Sequence, residues 1–250
     1  MSLPTTLHGL FINGQWSAGP EHLRVINPST EALLTTVNGG DSAAVDQAVT
    51  AAAAAFQSWS QTSGAERGAI LRKIAAGAQA SREQLMHLQS SNNGKPLFEA
   101  AIDVDDVIAT FEYYAGLAEG LDAKQDSPVE LPTDDFSARV RREPCGVVGL
   151  IVPWNFPMVT TAWKLAPALA AGCCVVLKPS EVTPLPELEL AAIIARSGLP
   201  QGVFNLVCGT GLAVGAPLSA DPRIAKISFT GSNAVGVQVM QRAAETVKGV

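Results

Sequence analysis

The sequence is short of what a nucleic-acid, metal or extracellular protein would need. It holds 17 lysines and arginines against 23 aspartates and glutamates, a net charge of −6 with no basic stripe, which argues against a phosphate-backbone partner. Its three histidines (His8, His22, His87) and four cysteines (Cys145, Cys173, Cys174, Cys208) stand at no metal-ligand spacing, so neither a zinc site nor a disulfide framework is expected. Cys173 and Cys174 open an apolar run, where cysteine commonly serves as a small hydrophobe, and none of the four reads as a competent covalent nucleophile. No apolar run approaches the roughly 18 residues of a membrane span. The run at 147–152 stops at Pro153, and the alanines at 51–55 lie inside an amphipathic pattern. No basic stretch leads into an apolar one at the N-terminus, so no signal peptide is expected and the cytoplasm is the expected compartment. A GxGxxG fingerprint, internal repeats and low-complexity linkers are also missing.

What is present is apolar bulk, 47% of 250 residues, enough for a substantial core in one large domain or two small ones. The first forty residues read as short extended segments with an Asn13-Gly14 hairpin turn. From Asp41, the spacing of Ala44, Val45, Ala48, Val49 and Phe56 marks one helix face. Ser63 and Glu66 have capping-box spacing before a helix expected to run to about residue 88, and a third helix is expected over 98–121. Residues 122–144 carry Pro128 and Pro132, clustered acids and an alternating run at 136–142, the pattern of an exposed strand in a protruding arm. From Gly146 strands and helices alternate at 147–152, 158–171, 174–178, 185–197, 203–207, 211–219, 225–229 and 232–247. That alternation predicts an α/β fold, an open parallel sheet with flanking helices.

Three strand ends carry the candidate chemistry, and ligands of open α/β sheets bind at such ends. In Val152-Pro153-Trp154-Asn155-Phe156-Pro157 the two prolines stiffen a turn, and Asn155 offers amide donors suited to charge developing on a carbonyl oxygen. The plainer reading is a turn asparagine bonding its own backbone. Lys178-Pro179-Ser180-Glu181 brings a lysine and a carboxylate to the end of a buried strand, where the carboxylate can accept ribose hydroxyls and would repel a 2′-phosphate; a surface ion pair is the alternative. Phe229-Thr230-Gly231-Ser232 runs into a helix whose first free N–H groups form an anion site.

Together these motifs resemble the aldehyde dehydrogenase superfamily, most closely its betaine aldehyde and aminoaldehyde dehydrogenases, over residues 11–250. The resemblance implies a Rossmann-like NAD-binding domain at 1–122 and 147–250, with 123–146 as an oligomerisation arm of a homo-dimer or homo-tetramer. It implies NAD, preferred over NADP, held by Ile151, Val152, Pro153, Trp154, Lys178, Ser180, Glu181, Gly211, Phe229, Thr230, Gly231, Ser232 and Val235, with Gly209 in the same glycine turn. Asn155 would stabilise the oxyanion of a thiohemiacetal and Lys164 would lend a supporting charge, although a helix lysine is most often solvated. Asp103 and Asp106, three apart on one helix, would bind a cationic aldehyde's tail together with Phe156 and Trp163, against the alternative of a solvated acidic face. The family's monovalent-cation site maps to Ile26, Asn92 and Val182, but an acidic ligand is replaced by Asn92. The general-base glutamate and nucleophilic cysteine are expected in segments beyond Val250, so these 250 residues are expected to be the cofactor-binding half of an enzyme oxidising betaine aldehyde or a related aminoaldehyde to its acid, inactive alone. Two alternatives stay open: an aldehyde dehydrogenase for uncharged aldehydes, and a non-catalytic nucleotide-binding or scaffold module.

Overall fold

A computed structural model describes residues 6–250; residues 1–5 of the expected domain lie outside it. The N-terminal segments form β1 (Thr6–His8), β2 (Leu10–Ile12), β3 (Gln15–Ser17), β4 (Glu21–Ile26) and β5 (Leu33–Gly39). Asn13 and Gly14 both take positive φ, 51° and 77°, as the tight turn of an antiparallel hairpin demands, and Ile12 pairs with Gln15 across it. Strands β1, β5 and β4 make a small separate sheet.

Four helices follow: α1 (Ser42–Trp59), α2 (Gly64–Ala80), α3 (Arg82–Asn93) and α4 (Leu97–Glu119). The capping box closes as its spacing requires, with the Ser63 N–H donating to Glu66 at 2.7 Å and the Glu66 N–H donating to the Ser63 hydroxyl at 3.2 Å. The single helix expected through residue 88 is two. Ser81 ends α2 with φ −99° and ψ 12°, and the redirected chain lets α3 bury Leu85, Leu88 and Gln89 against α4 and α6. Tertiary burial outweighed a periodicity that continued across the break. A Cβ on Gly64 would lie 2.0 Å from the Ala118 carbonyl oxygen, so α2 meets α4 at a point only glycine permits.

Strands β6 (Ser127–Val129) and β7 (Ala138–Val140) pair only with each other among the described residues. The remainder alternates: β8 (Val147–Ile151), α5 (Pro157–Ala170), β9 (Cys174–Lys178), α6 (Leu185–Ala195), β10 (Phe204–Val207), a π-helical turn at Gly211–Gly215 leading into α7 (Ala216–Ala220), β11 (Ile224–Phe229) and α8 (Asn233–Ala244). The main sheet has the order β11-β8-β9-β10-β2-β3, parallel from β11 to β10 and completed by the antiparallel hairpin β2-β3. Every residue of β8, β9 and β10 is buried, as strands covered on both faces are, which explains their unbroken apolar runs. Leu150, Leu177 and Leu165 of α5 anchor this core, each contributing roughly 1.5–3 kcal/mol by burial.

Candidate functional site

Register brings the three motifs together. Ile151, the last residue of β8, is the ladder partner of both Lys178 at the end of β9 and Phe229 at the end of β11. The loops leaving these strands are stitched by the Val152 N–H to the Lys178 carbonyl (3.3 Å) and the Thr230 N–H to the Ile151 carbonyl (3.1 Å). Beyond this row opens a cleft of about 660 Å³. Ile151, Val152, Pro153, Trp154, Lys178, Ser180, Glu181, Gly211, Phe229, Thr230, Gly231, Ser232 and Val235 all line it, as does Asn155. Residues that the motifs did not point to complete the lining: Leu212, Gly215, Ala216 and Ser219 around α7, and Gln238, Val239 and Arg242 on α8. The α8 residues extend Val235 at helical spacing, so the face could have been read from the position of Ser232.

Lys178 is buried to 3% exposure, and its ammonium donates to Glu181 at 3.0 Å and to the Pro179 carbonyl at 2.9 Å. Burial pushes the Glu181 carboxyl up, but the Lys178 charge with hydrogen bonds from Lys178 and from the Glu181 and Gly211 N–H groups outweighs it, leaving an ionised carboxylate below the ordinary range. The pair thus presents one fixed anion and one fixed cation at the cleft wall. Ser232 caps α8, its hydroxyl accepting the Val235 N–H at 3.4 Å. The Gly231 Cα lies where a Cβ would reach 2.6 Å from the Phe229 ring, whereas a Cβ on Gly211 would meet open space. Gly209 is outside the lining; a Cβ there would lie 2.3 Å from the Val214 side chain, so its role is packing.

Asn155 makes a local turn bond and also borders the cleft. Its Oδ1 accepts the Phe156 N–H at 3.1 Å, a local turn bond, while the residue lines the cleft with its amide nitrogen directed to no hydrogen-bond partner among the described residues. Lys164, one helical turn further along α5 than Thr160, donates to the Ser228 hydroxyl at 3.2 Å. Half-burial without a countercharge pushes its ammonium pKa down.

The acidic pair on α4 does not share an exposed face. Asp103 is buried, bonded to Lys95 at 2.5 Å and also to Gln89, and the Lys95 ammonium lies 3.5 Å from the centre of the Phe156 ring. The positions read as a cationic-tail pocket, Asp103 and Phe156, already hold an internal cation. Asp106, by contrast, accepts the Trp163 indole N–H at 3.1 Å, and the two border a second groove with Tyr113 and Tyr114.

A monovalent cation does not fit the expected ligands. The Leu185 N–H donates to Asn92 Oδ1 at 3.0 Å, which fixes the amide orientation and turns Nδ2 toward the Val182 carbonyl at 3.2 Å. A neutral donor therefore points at the carbonyl that would ligate a cation, and Ile26 with Val182 alone would leave the ion short of oxygen ligands.

The profile of the aldehyde dehydrogenase family matches residues 16–250. A peroxisomal aminoaldehyde dehydrogenase 2 from Pisum sativum is 49% identical across 100% of this chain and 51% of its own length. A chloroplastic betaine aldehyde dehydrogenase from Beta vulgaris is 46% identical with the same coverage. The chain therefore spans about half the length of the curated relatives it matches. Among solved structures, a betaine aldehyde dehydrogenase from Staphylococcus aureus in complex with NAD+ superposes with a TM-score of 0.92 at 36% identity, covering 97% of this chain and 48% of that one. The chain belongs to the aldehyde dehydrogenase family.

Proposed function

We propose that the cleft binds NAD and that the chain provides the cofactor-binding part of an enzyme oxidising an aldehyde to a carboxylic acid. The observation that carries the reading is the side-by-side alignment of Ile151, Lys178 and Phe229, which opens one cleft beside the buried Lys178–Glu181 pair and the α8 N-terminus. Lys178 and Glu181 would hold ribose hydroxyls, Ser232 and the first N–H groups of α8 the pyrophosphate, and Val235 the adenine flank. The ionised Glu181 disfavours a 2′-phosphate, hence NAD over NADP. Bound NAD supplies a hydride acceptor. On the protein side, Asn155 offers its amide N–H to the aldehyde oxygen as charge develops there, and Lys164, held on Ser228, supports the positive field behind it. No cysteine lines the cleft, so a covalent nucleophile is not supplied by these residues.

For the substrate we propose a cationic aldehyde, such as betaine aldehyde or an aminoaldehyde, after the names of the relatives, with the tail met by Asp106 and Trp163. The internal cation Lys95 on Phe156 favours an uncharged aldehyde as the competing reading. The exposed Val129, Leu131, Phe136 and Val140 of the β6–β7 segment suit a contact between copies, from which we propose a homo-oligomer.

Calorimetric titration of the chain with NAD and NADP tests the cofactor reading. NAD is expected to bind more tightly than NADP, and Lys178→Ala and Glu181→Ala each to weaken NAD by about tenfold or more, the ~1.5–3 kcal/mol of a hydrogen bond to a charged group. Unchanged NAD affinity in both folded variants would overturn the placement.

A further inference from the structure

The cleft leaves one close side-chain pair unused, at the opposite end of the sheet. Cys145 lies just before β8 and Cys173 just before β9, and their sulfurs are 3.7 Å apart, in van der Waals contact. The parallel ladder enforces this meeting: Val147 pairs with Cys174, and the Cys174 N–H donates to the Gly146 carbonyl at 3.3 Å, so the residues preceding the two strands are held abreast. Gly146 at φ 123° and Gly172 at φ 89° flank the pair with backbone turns that side chains disfavour, and the Cys173 N–H is tied to the Ala168 carbonyl at 2.9 Å. Cys145 is exposed and Cys173 buried.

We propose that Cys145 and Cys173 form a peroxide-responsive thiol pair that closes into a disulfide, clipping the start of β8 to the start of β9. The two thiols are chemically unequal, as such a pair requires. The sulfur–sulfur contact with Cys173, together with the Cys145 N–H and the positive charge of Lys226, lowers the Cys145 pKa against the cost of partial burial. Cys173 is raised by the same contact and by burial, and stays a protonated thiol. In the first step the Cys145 thiolate attacks a hydroperoxide such as hydrogen peroxide, breaking the O–O bond: the sulfur is oxidised to a sulfenic acid, one oxygen is transferred and hydroxide leaves. In the second step the Cys173 sulfur displaces that oxygen, forming the S–S bond and releasing water, with the Cys173 proton leaving on the water. Two thiols lose two electrons in total, and the peroxide gains them. Closure brings the sulfurs from 3.7 Å to a bond of about 2.05 Å. Cys174 and Cys208 are excluded: both are fully buried and burial raises both thiols. The clip spans 28 positions of sequence and encloses β8, the Asn155 turn and α5, yet lies at the ends of the strands away from Ile151 and Lys178. It therefore closes a covalent loop that contains the Asn155 turn without touching the cofactor wall.

Brief treatment of the native chain with hydrogen peroxide, followed by alkylation and peptide mapping, tests this. The expected product is a Cys145–Cys173 cross-linked peptide, two hydrogens lighter than its reduced parts and reversed by dithiothreitol, with Cys174 and Cys208 recovered as thiols. Cys173→Ser should abolish the cross-link and leave Cys145 as a sulfenic acid trapped by dimedone, which separates loss of the partner from loss of reactivity. Overoxidation of Cys145 to sulfinic acid while Cys173 stays a thiol, pairing with Cys174, or a disulfide between chains would overturn the proposal.

Discussion

Glu187 stands on the first turn of α6, wholly buried, with neither carboxyl oxygen in a hydrogen bond. Burial pushes its pKa from 4.5 to about 8, and the Lys178 charge offsets this only in part. The folded chain thus keeps a proton that the unfolded chain releases once pH passes 4.5. Because the folded state binds more protons, stability falls as pH rises from 4.5 toward about 8 and then levels off. At about 1.4 kcal/mol per pH unit the full span has a ceiling on the order of 4–5 kcal/mol. Glu187→Gln removes the titration; any cost of its buried amide is independent of pH. Urea unfolding of both proteins at intervals from about pH 5 to about pH 8 should therefore show their stability difference moving in favour of the variant by several kcal/mol. Parallel stability curves across that range would mean that Glu187 does not hold its proton in the folded chain, since the other titrating groups are common to both.

Two further outcomes follow from buried polar groups. Asp103→Ala leaves the Lys95 ammonium, only 8% exposed, without its carboxylate and should cost about 3–5 kcal/mol, while replacing both residues by apolar ones of similar volume should recover most of the loss in the same denaturant titration. Asn92→Asp sets a carboxylate against the Val182 carbonyl now bonded by the amide: it should lower the melting temperature in choline chloride and regain it in potassium chloride, whereas the native chain should melt alike in both at matched ionic strength. A potassium-specific shift in the native chain would contradict the neutral Asn92 bond.

The parallel half of the fold was legible because its strands are continuous apolar runs bounded by Pro and Gly, and each motif sits where a strand must end. The cleft was legible for the same reason: once Ile151, Lys178 and Phe229 terminate adjacent strands, their loops must meet. The attachment of β2 and β3 to the sheet was not, because a three-residue strand carries no long-range address; its place is set by Phe11 opposite Leu206 and by the Asn13 N–H on the Asn205 side chain, 192 positions away. The α2–α3 break was hidden by a hydrophobic spacing that runs through Ser81. The cover over Asp103 was not legible because helical spacing places a residue on a face without saying what covers it, and Lys95, from the turn before α4, covers it. The Cys145–Cys173 contact is likewise a product of parallel register that neither local sequence carries.

A crystal structure of the chain grown with NAD would show where the nucleotide sits. Its adenosine ribose is expected on Lys178 and Glu181, its pyrophosphate at Ser232 and the start of α8, and its nicotinamide directed toward Asn155. A ribose bound away from Lys178 and Glu181, or a nucleotide seated outside the cleft between β8, β9 and β11, would rule out NAD binding in this cleft.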